Sequence, residues 1–322
     1  MSERVCIFGT GAIGGLLAAR LAHAGTDVSC VARGPQLAAI RSQGLRLIEA
    51  DRDINVEVPC SDDPAALGPQ DVVIVTLKTH ALAENVAGIA SLLGPDTAII
   101  TAQNGLPWWY FYRDVSPLAG RWLESIDPGG RLWNGLGPSR AIGAVVYPAA
   151  EVVAPGVIRH VQGERFTLGE PDGLRSDRIV AAGALLSNAG LQVSLNDAIR
   201  AEIWLKLAVN AALNPLSVIE NATIGEIVNN SSSCRRLATM IGEAQSVAAS
   251  LGIAPALSAE ELIDALRAFS GHKTSMLTDS ESGRPTEREA LTGAVLEIAS
   301  HTGVATPYLR AAYSELQRLD GL

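Results

Sequence analysis

Arg4-Val-Cys-Ile-Phe-Gly9-Thr-Gly11-Ala-Ile-Gly14 opens the chain with a short apolar run and then the spacing G-x-G-x-x-G. Arg4 to Phe8 reads as a strand, and Gly15 to Ala24 continues as a helix with apolar residues on several faces. Glycines so spaced are a weak signal alone, since any tight turn can hold them. Between a strand and a helix they are specific for a dinucleotide-binding turn. Gly9 and Gly11 let the backbone turn and approach a pyrophosphate, while Gly14 permits close helix–strand packing. At the helix start, Ala12 and Ile13 present N–H groups and positive potential to an anion.

Outward from this turn the chain alternates. Asp27 to Ala32 is a second strand, Pro35 to Gln43 a helix, and the alternating Leu45–Glu49 and Ile54–Val58 are edge strands or a hairpin. Asp71 to Leu77 is apolar throughout, as a central parallel strand should be. A helix from about Ala81 to Leu93 leads to a further strand, Thr97 to Thr101. This β-α-β rhythm predicts an α/β fold, a Rossmann-type doubly wound parallel sheet. Residues 106–139 break the rhythm with Trp108-Trp-Tyr-Phe-Tyr112, further tryptophans at 122 and 133, and many Gly and Pro. They read as an inserted loop, either a lid or interface element or an aromatic cluster packed on the surface. Strands resume at 141–147, 156–161 and 165–168, followed by a helix over 176–189 and a strand at 191–194.

From Asp197 the pattern is almost wholly helical, with Asn196 or Asp197 capping the first helix and Ser258-Ala-Glu-Glu261 forming a capping box. The expected division is a nucleotide-binding domain over 1–196 and an all-helical domain over 197–322. Helical second domains often dimerise, so a homodimer is expected by analogy.

Composition narrows the function. With 48% hydrophobic and 18% charged residues the chain is globular. A net charge of −9 leaves no excess of cations for nucleic acid or a membrane surface, so an anionic ligand must be held by a few placed cations. Cys6, Cys30, Cys60 and Cys234 show neither C-x-x-C nor zinc spacing, and no H-E-x-x-H occurs; no metal is expected. The N-terminal apolar run is broken by glycines, unlike a signal peptide, and no segment reaches the length of a membrane span. A cytoplasmic protein is expected, in which the sequons at Asn221, Asn229 and Asn230 carry no weight.

Nucleotide specificity is legible at the second strand. No Asp or Glu occurs between Asp27 and Glu49, where an acidic residue would bind ribose hydroxyls, and Arg33 stands just past the strand's end. A guanidinium there suits a 2′-phosphate, so the expected cofactor is NADPH/NADP+. Lys78 and Asn104 follow two apolar strands at their carboxyl ends, where ligands of open parallel sheets bind. In Ile203-Trp-Leu-Lys-Leu-Ala-Val-Asn-Ala-Ala-Leu-Asn-Pro-Leu216, Lys206, Asn210 and Asn214 recur every fourth residue. At ~100° per residue they share one helix face over ~12 Å. Three polar groups on a greasy helix need partners, and an active-site wall supplies them, with Lys206 as proton donor. Near the C-terminus lie Ser275 and Thr286-Glu287, the latter read as an N-cap and first turn.

Taken in order, Gly9-Thr-Gly-Ala-Ile-Gly14, Thr76-Leu-Lys78, Gln103-Asn-Gly105, Trp204-Leu-Lys206 through Asn214-Pro-Leu216, and Ser275-Met-Leu-Thr-Asp279 ending in Glu287 resemble the ketopantoate reductase family. The resemblance implies a substrate held between a Rossmann and a helical domain. It implies NADPH-dependent reduction of 2-dehydropantoate or a related 2-oxo acid, with Lys206 as general acid. Asn210, Asn214, Ser275 and Glu287 would contact the substrate, Glu287 at its distal hydroxyl. Lys78 and Asn104 would line the nicotinamide and reacting carbonyl, and Arg33 would grip the 2′-phosphate. The family usually has a shorter connection after Gln-Asn-Gly, so the segment over 106–139 bears on which 2-oxo acid is taken. Two rivals are a β-hydroxyacid dehydrogenase, which shares a Lys-x-x-x-Asn helix, and a non-catalytic NADPH sensor.

Overall fold

A computed structural model describes residues 3–320. They form two compact units, one running up to Gln103 and resuming over Gly129–Ile199, the other comprising Asn104–Pro128 and the residues from Arg200 onward.

The first unit begins with β1 (Arg4–Phe8), α1 (Ala12–His23), β2 (Asp27–Val31), α2 (Gly34–Gln43), β3 (Leu45–Ile48), β4 (Asp53–Val56) and β5 (Cys60–Ser61). It continues with β6 (Gln70–Val75), α3 (Val86–Ala90) and β7 (Leu93–Thr101), then α4 (Arg131–Leu136) and β8 (Ala141–Val146). It closes with β9 (Ala149–Ala154), β10 (Val157–Gln162), β11 (Arg165–Gly169), α5 (Asp177–Asn188) and β12 (Gln192–Leu195). Eight strands make one sheet in the order β12-β11-β8-β7-β6-β1-β2-β5. The six strands from β8 to β5 are parallel, and β11 pairs antiparallel to β8 while β12 runs parallel to β11. Val5 and Ile7 align with Val28 and Cys30 on one side and with Val72 and Ile74 on the other, and Leu16, Leu17 and Leu21 of α1 complete this core.

A second, four-stranded sheet of order β4-β3-β10-β9 lies against α1. The alternation at Leu45–Ile48 builds it, burying Leu45 and Leu47 and exposing Arg46, and β3 pairs antiparallel with β4 as the expected hairpin. Gly15 is the contact point, since a side chain there would strike Ile158 and meet Leu45. Sequence periodicity had no signal for β9, whose residues are mostly exposed and lack alternation. The helix expected over about 81–93 is shorter. Two 3₁₀ turns occupy Thr79–Ala81 and Ala83–Asn85 before α3, and β7 starts already at Leu93. Cys6, Cys30 and Cys60 are buried free thiols, and desolvation pushes Cys6 up to about 12 and Cys60 to about 11.

The second unit is helical: α6 (Ile199–Glu220), α7 (Ile224–Asn229), α8 (Ser231–Ser250), α9 (Ala259–Leu266), α10 (Ser275–Glu281), a π-helical turn at Glu289–Gly293, α11 (Ala294–Thr302) and α12 (Pro307–Asp320). The Ser258–Glu261 capping box is present, and Asn196 accepts from the Ala198 N–H at 2.7 Å just ahead of α6. The aromatic segment departs from expectation, because its first part groups with this unit and not with the first one. Trp108, Trp109, Tyr110 and Phe111 are all buried. The Trp204 indole N–H donates to the Tyr110 hydroxyl at 2.7 Å, and Arg200 donates to the Tyr110 and Tyr112 carbonyls. The backbone N–H groups of Glu124 and Ser125 both donate to Glu297 at 2.8 Å. The segment is thus tied into the helices by polar anchors around an aromatic core. Among the described residues no helix is long and apolar enough to cross a membrane.

Candidate active site

The glycine turn holds its shape through contacts that side chains would destroy. Gly9 adopts φ +102°, a conformation L side chains rarely take, and its N–H donates to the Val31 carbonyl at 3.1 Å. Its own carbonyl accepts the Thr76 hydroxyl, and a Cβ on Gly14 would strike that same oxygen. Gly11 differs, since a Cβ there would meet open space. The first intrahelical bond of α1 runs from Gly15 N–H to Gly11 O at 2.8 Å. The N–H groups of Ala12, Ile13 and Gly14 therefore precede the helical ladder. N–H groups left free at a helix start are suited to an anion. Arg33 caps α2 with extended backbone, and its guanidinium donates to Asn85 at 2.8 Å. Asn85, buried and itself donating to the Ala81 carbonyl at 2.7 Å, aims the arginine. Sequence gave no sign of this partner, which is 52 residues away. Lys78 stands half-buried at the exit of β6, and the Gln103 amide at the exit of β7 donates to the Leu77 carbonyl.

The second cluster lies wholly within the helical unit. Lys206, on α6, donates to the Asn104 side-chain oxygen at 2.8 Å. Burial pushes the Lys206 ammonium down from 10.5 to about 8, and the Glu287 carboxylate pulls the other way. Asn210 and Asn214 follow on α6 at four-residue steps, Asn210 half-buried and Asn214 only 4% exposed. Ser275, the first residue of α10, is exposed. Its neighbour Thr274 hydrogen-bonds Ser217 at 2.6 Å, and Ser217 donates to the Asn214 carbonyl at 2.7 Å, so α10 starts from a fixed point on α6. Glu287 precedes the helix, which begins at Arg288 and runs into the π-helical turn, so the N-cap position falls at Glu287 and not at Thr286. Gly105 lets the loop after Asn104 approach this turn: at φ +87° it leaves no room for a Cβ beside the Ala290 carbonyl, which accepts the Leu106 N–H at 3.2 Å.

An ammonium held by the Asn104 amide, with its proton affinity lowered by burial and raised by the Glu287 carboxylate, can protonate a developing alkoxide. The ketopantoate reductase PanE/ApbA family model matches residues 5–173, and that of the family's C-terminal domain matches 198–320. The chain belongs to the ketopantoate reductase family.

A 2-dehydropantoate 2-reductase of Mesorhizobium japonicum is 46% identical over 98% of this chain and 97% of its own. Among solved structures, a ketopantoate reductase from Ralstonia solanacearum superposes with a TM-score of 0.94 at 39% identity, covering all of both chains. A 2-dehydropantoate 2-reductase from Geobacter metallireducens gives 0.86 at 26%, covering 98% of this chain and 99% of its own. Membership makes the chain an oxidoreductase of the CH–OH/C=O class and agrees with the expected α/β-plus-helical architecture.

A different cluster answers to no part of the ketopantoate reductase site. Glu49, His160 and Glu164 bring ligand atoms within 4.8 Å of one another. Arg20, 3% exposed, lies among them and donates to both carboxylates, and Arg52 pairs with Glu49, so the two negative charges are already met by two guanidinium groups.

Proposed function

We propose that the chain reduces 2-dehydropantoate, or a closely related 2-oxo acid, to the 2-hydroxy acid with NADPH. The observation that carries this reading is the Lys206 ammonium, largely buried, hydrogen-bonded to Asn104 at 2.8 Å and facing the charge of Glu287. The glycine turn, with the N–H groups of Ala12 and Ile13, would hold the pyrophosphate, and Arg33, aimed by Asn85, the 2′-phosphate. When bound, the reduced nicotinamide supplies the hydride to the ketone carbon. Lys206 then gives its proton to the ketone oxygen, and Asn104 keeps the ammonium on line while charge grows there. At a pKa of about 8, the neutral amine left behind regains a proton from solvent at neutral pH. Lys78 and Asn104 would border the reacting carbonyl; Asn210, Asn214 and Ser275 would orient the acid; Glu287 would accept from its distal hydroxyl. A homodimer is retained as the expected assembly.

The test is NADPH oxidation by the purified protein over a series of 2-oxo acids with and without a 4-hydroxyl. Turnover that prefers the hydroxylated acids supports the reading. Turnover only on larger apolar acids would reassign the substrate to the aromatic segment's influence, and no turnover on any would leave the sensor reading.

A further inference from the structure

Pro215 stands inside α6, next to Asn214. A proline has no N–H, so the carbonyl four residues earlier, that of Ala211, loses its intrahelical donor. Ala211 is 0% exposed, and an unpaired carbonyl at such a depth is costly. The Thr292 hydroxyl donates to that carbonyl at 2.9 Å, from a side chain that is also 0% exposed. Thr292 belongs to the π-helical turn Glu289–Gly293, which hangs from Glu287 through the Leu291 N–H bond to the Glu287 carbonyl at 3.2 Å.

Three hydrogen bonds then link the parts of the site. Lys206 on α6 holds Asn104; Leu106, two residues on, donates to Ala290 in the π-helical turn; and Thr292 in that turn donates back to α6 at Ala211. Wide turns of this kind occur often at functional sites. Here the turn brings its second residue's carbonyl, that of Ala290, and its fourth residue's hydroxyl, that of Thr292, to different elements. We propose that Thr292 is a positioning residue of this reductase. Its hydroxyl stands in for the N–H that Pro215 lacks and pins the Glu287 segment to the helix carrying Lys206, Asn210 and Asn214. Being fully buried, it acts through these two elements and not on the ligand. The inference rests on the reductase reading for its catalytic consequence, but not for the hydrogen bond itself.

The experiment uses the full chain with Thr292→Val, which replaces the hydroxyl by a methyl group, Thr292→Ser, Pro215→Ala and the double variant Pro215→Ala/Thr292→Val. Steady-state NADPH oxidation with a 2-oxo acid that the wild type reduces gives kcat and KM, NADPH fluorescence gives the dinucleotide Kd, and thermal unfolding gives Tm. Thr292→Val should raise the 2-oxo acid KM about tenfold and lower Tm by a few degrees, leaving the dinucleotide Kd within about twofold, because the glycine turn and Arg33 belong to the other unit. Thr292→Ser should restore most of the KM. Pro215→Ala returns an N–H to Ala211, so in that background Thr292→Val should no longer lower Tm, while the KM defect persists because the tether is still missing.

A wild-type KM in Thr292→Val, or a KM repaired together with Tm in the double variant, overturns the positioning role. An equal Tm loss in both backgrounds overturns the pairing with Pro215. If Thr292→Val does not fold, the double variant, whose Ala211 carbonyl is again paired, decides by its KM. A wild type that reduces no 2-oxo acid refutes the reductase reading instead, and the Tm comparison still judges the pairing.

Discussion

Lys206 should report one pKa through two unrelated measurements of opposite slope, and Lys206→Met is the perturbation that exposes it. The ammonium sits at about 8 in the folded protein against an ordinary 10.5, burial being the main cause. A difference of that size corresponds to about 3 kcal/mol of destabilisation wherever the group is charged in both states. The folded pKa is the lower one, so between about pH 8 and 10.5 the unfolded chain holds the proton that the folded chain has lost, and stability rises with pH. Below that window the full penalty applies. Urea unfolding of wild type and Lys206→Met should therefore show the wild type gaining about 1 kcal/mol on the variant between pH 7 and pH 9. Activity should run the other way. Only about a tenth of Lys206 keeps its proton at pH 9, so kcat/KM for 2-oxo acid reduction should fall roughly tenfold over the same interval. Lys206→Met itself should lose a factor of about 10² to 10⁴ in kcat. The reasoning is refuted if the two apparent pKa values differ by more than about a unit, or if Lys206→Met keeps turnover near wild type.

Three further outcomes are expected. Glu287→Gln removes the charge that holds the Lys206 pKa up, so the alkaline limb of kcat/KM should move to lower pH, and discrimination in favour of hydroxylated 2-oxo acids should shrink; an unmoved limb would separate Glu287 from the lysine. Arg33→Ala should weaken NADPH by about 10- to 100-fold, the loss of a charged hydrogen-bond partner, with little change for NADH; equal losses in titrations of both dinucleotides would remove the 2′-phosphate role. Gly14→Ala places a methyl against the Gly9 carbonyl, so the variant should bind no dinucleotide or fail to fold, and a recovered protein with wild-type Kd would count against the turn geometry.

Much of this was legible one segment at a time. The glycine turn, the apolar central strands and the three-residue polar stripe on α6 are local signals, and each lies where its local pattern places it. Other features have no local signature. The aromatic run at Trp108–Phe111 looks the same whether it forms a lid or a core, because burial is a property of what surrounds it. The shortened helix before β7 follows from turns whose hydrogen bonds are individually weak signals. Pro215 is a partial case: its presence in a helix announces an orphaned carbonyl at Ala211, but the donor is 81 residues away.

By itself the sequence determined the classes of element, their order and the chemical inventory: a nucleotide turn, one arginine free of acidic rivals, and a lysine aligned with two asparagines. Those follow from backbone sterics and helical or strand periodicity, which act over a few residues. Tertiary structure alone decided that Asn104 holds Lys206, that Glu287 and burial set the lysine's proton affinity in opposition, and that Thr292 supplies α6 with the donor that Pro215 lacks. Desolvation and hydrogen-bond pairing depend on which distant segments exclude water together, and no local pattern encodes that.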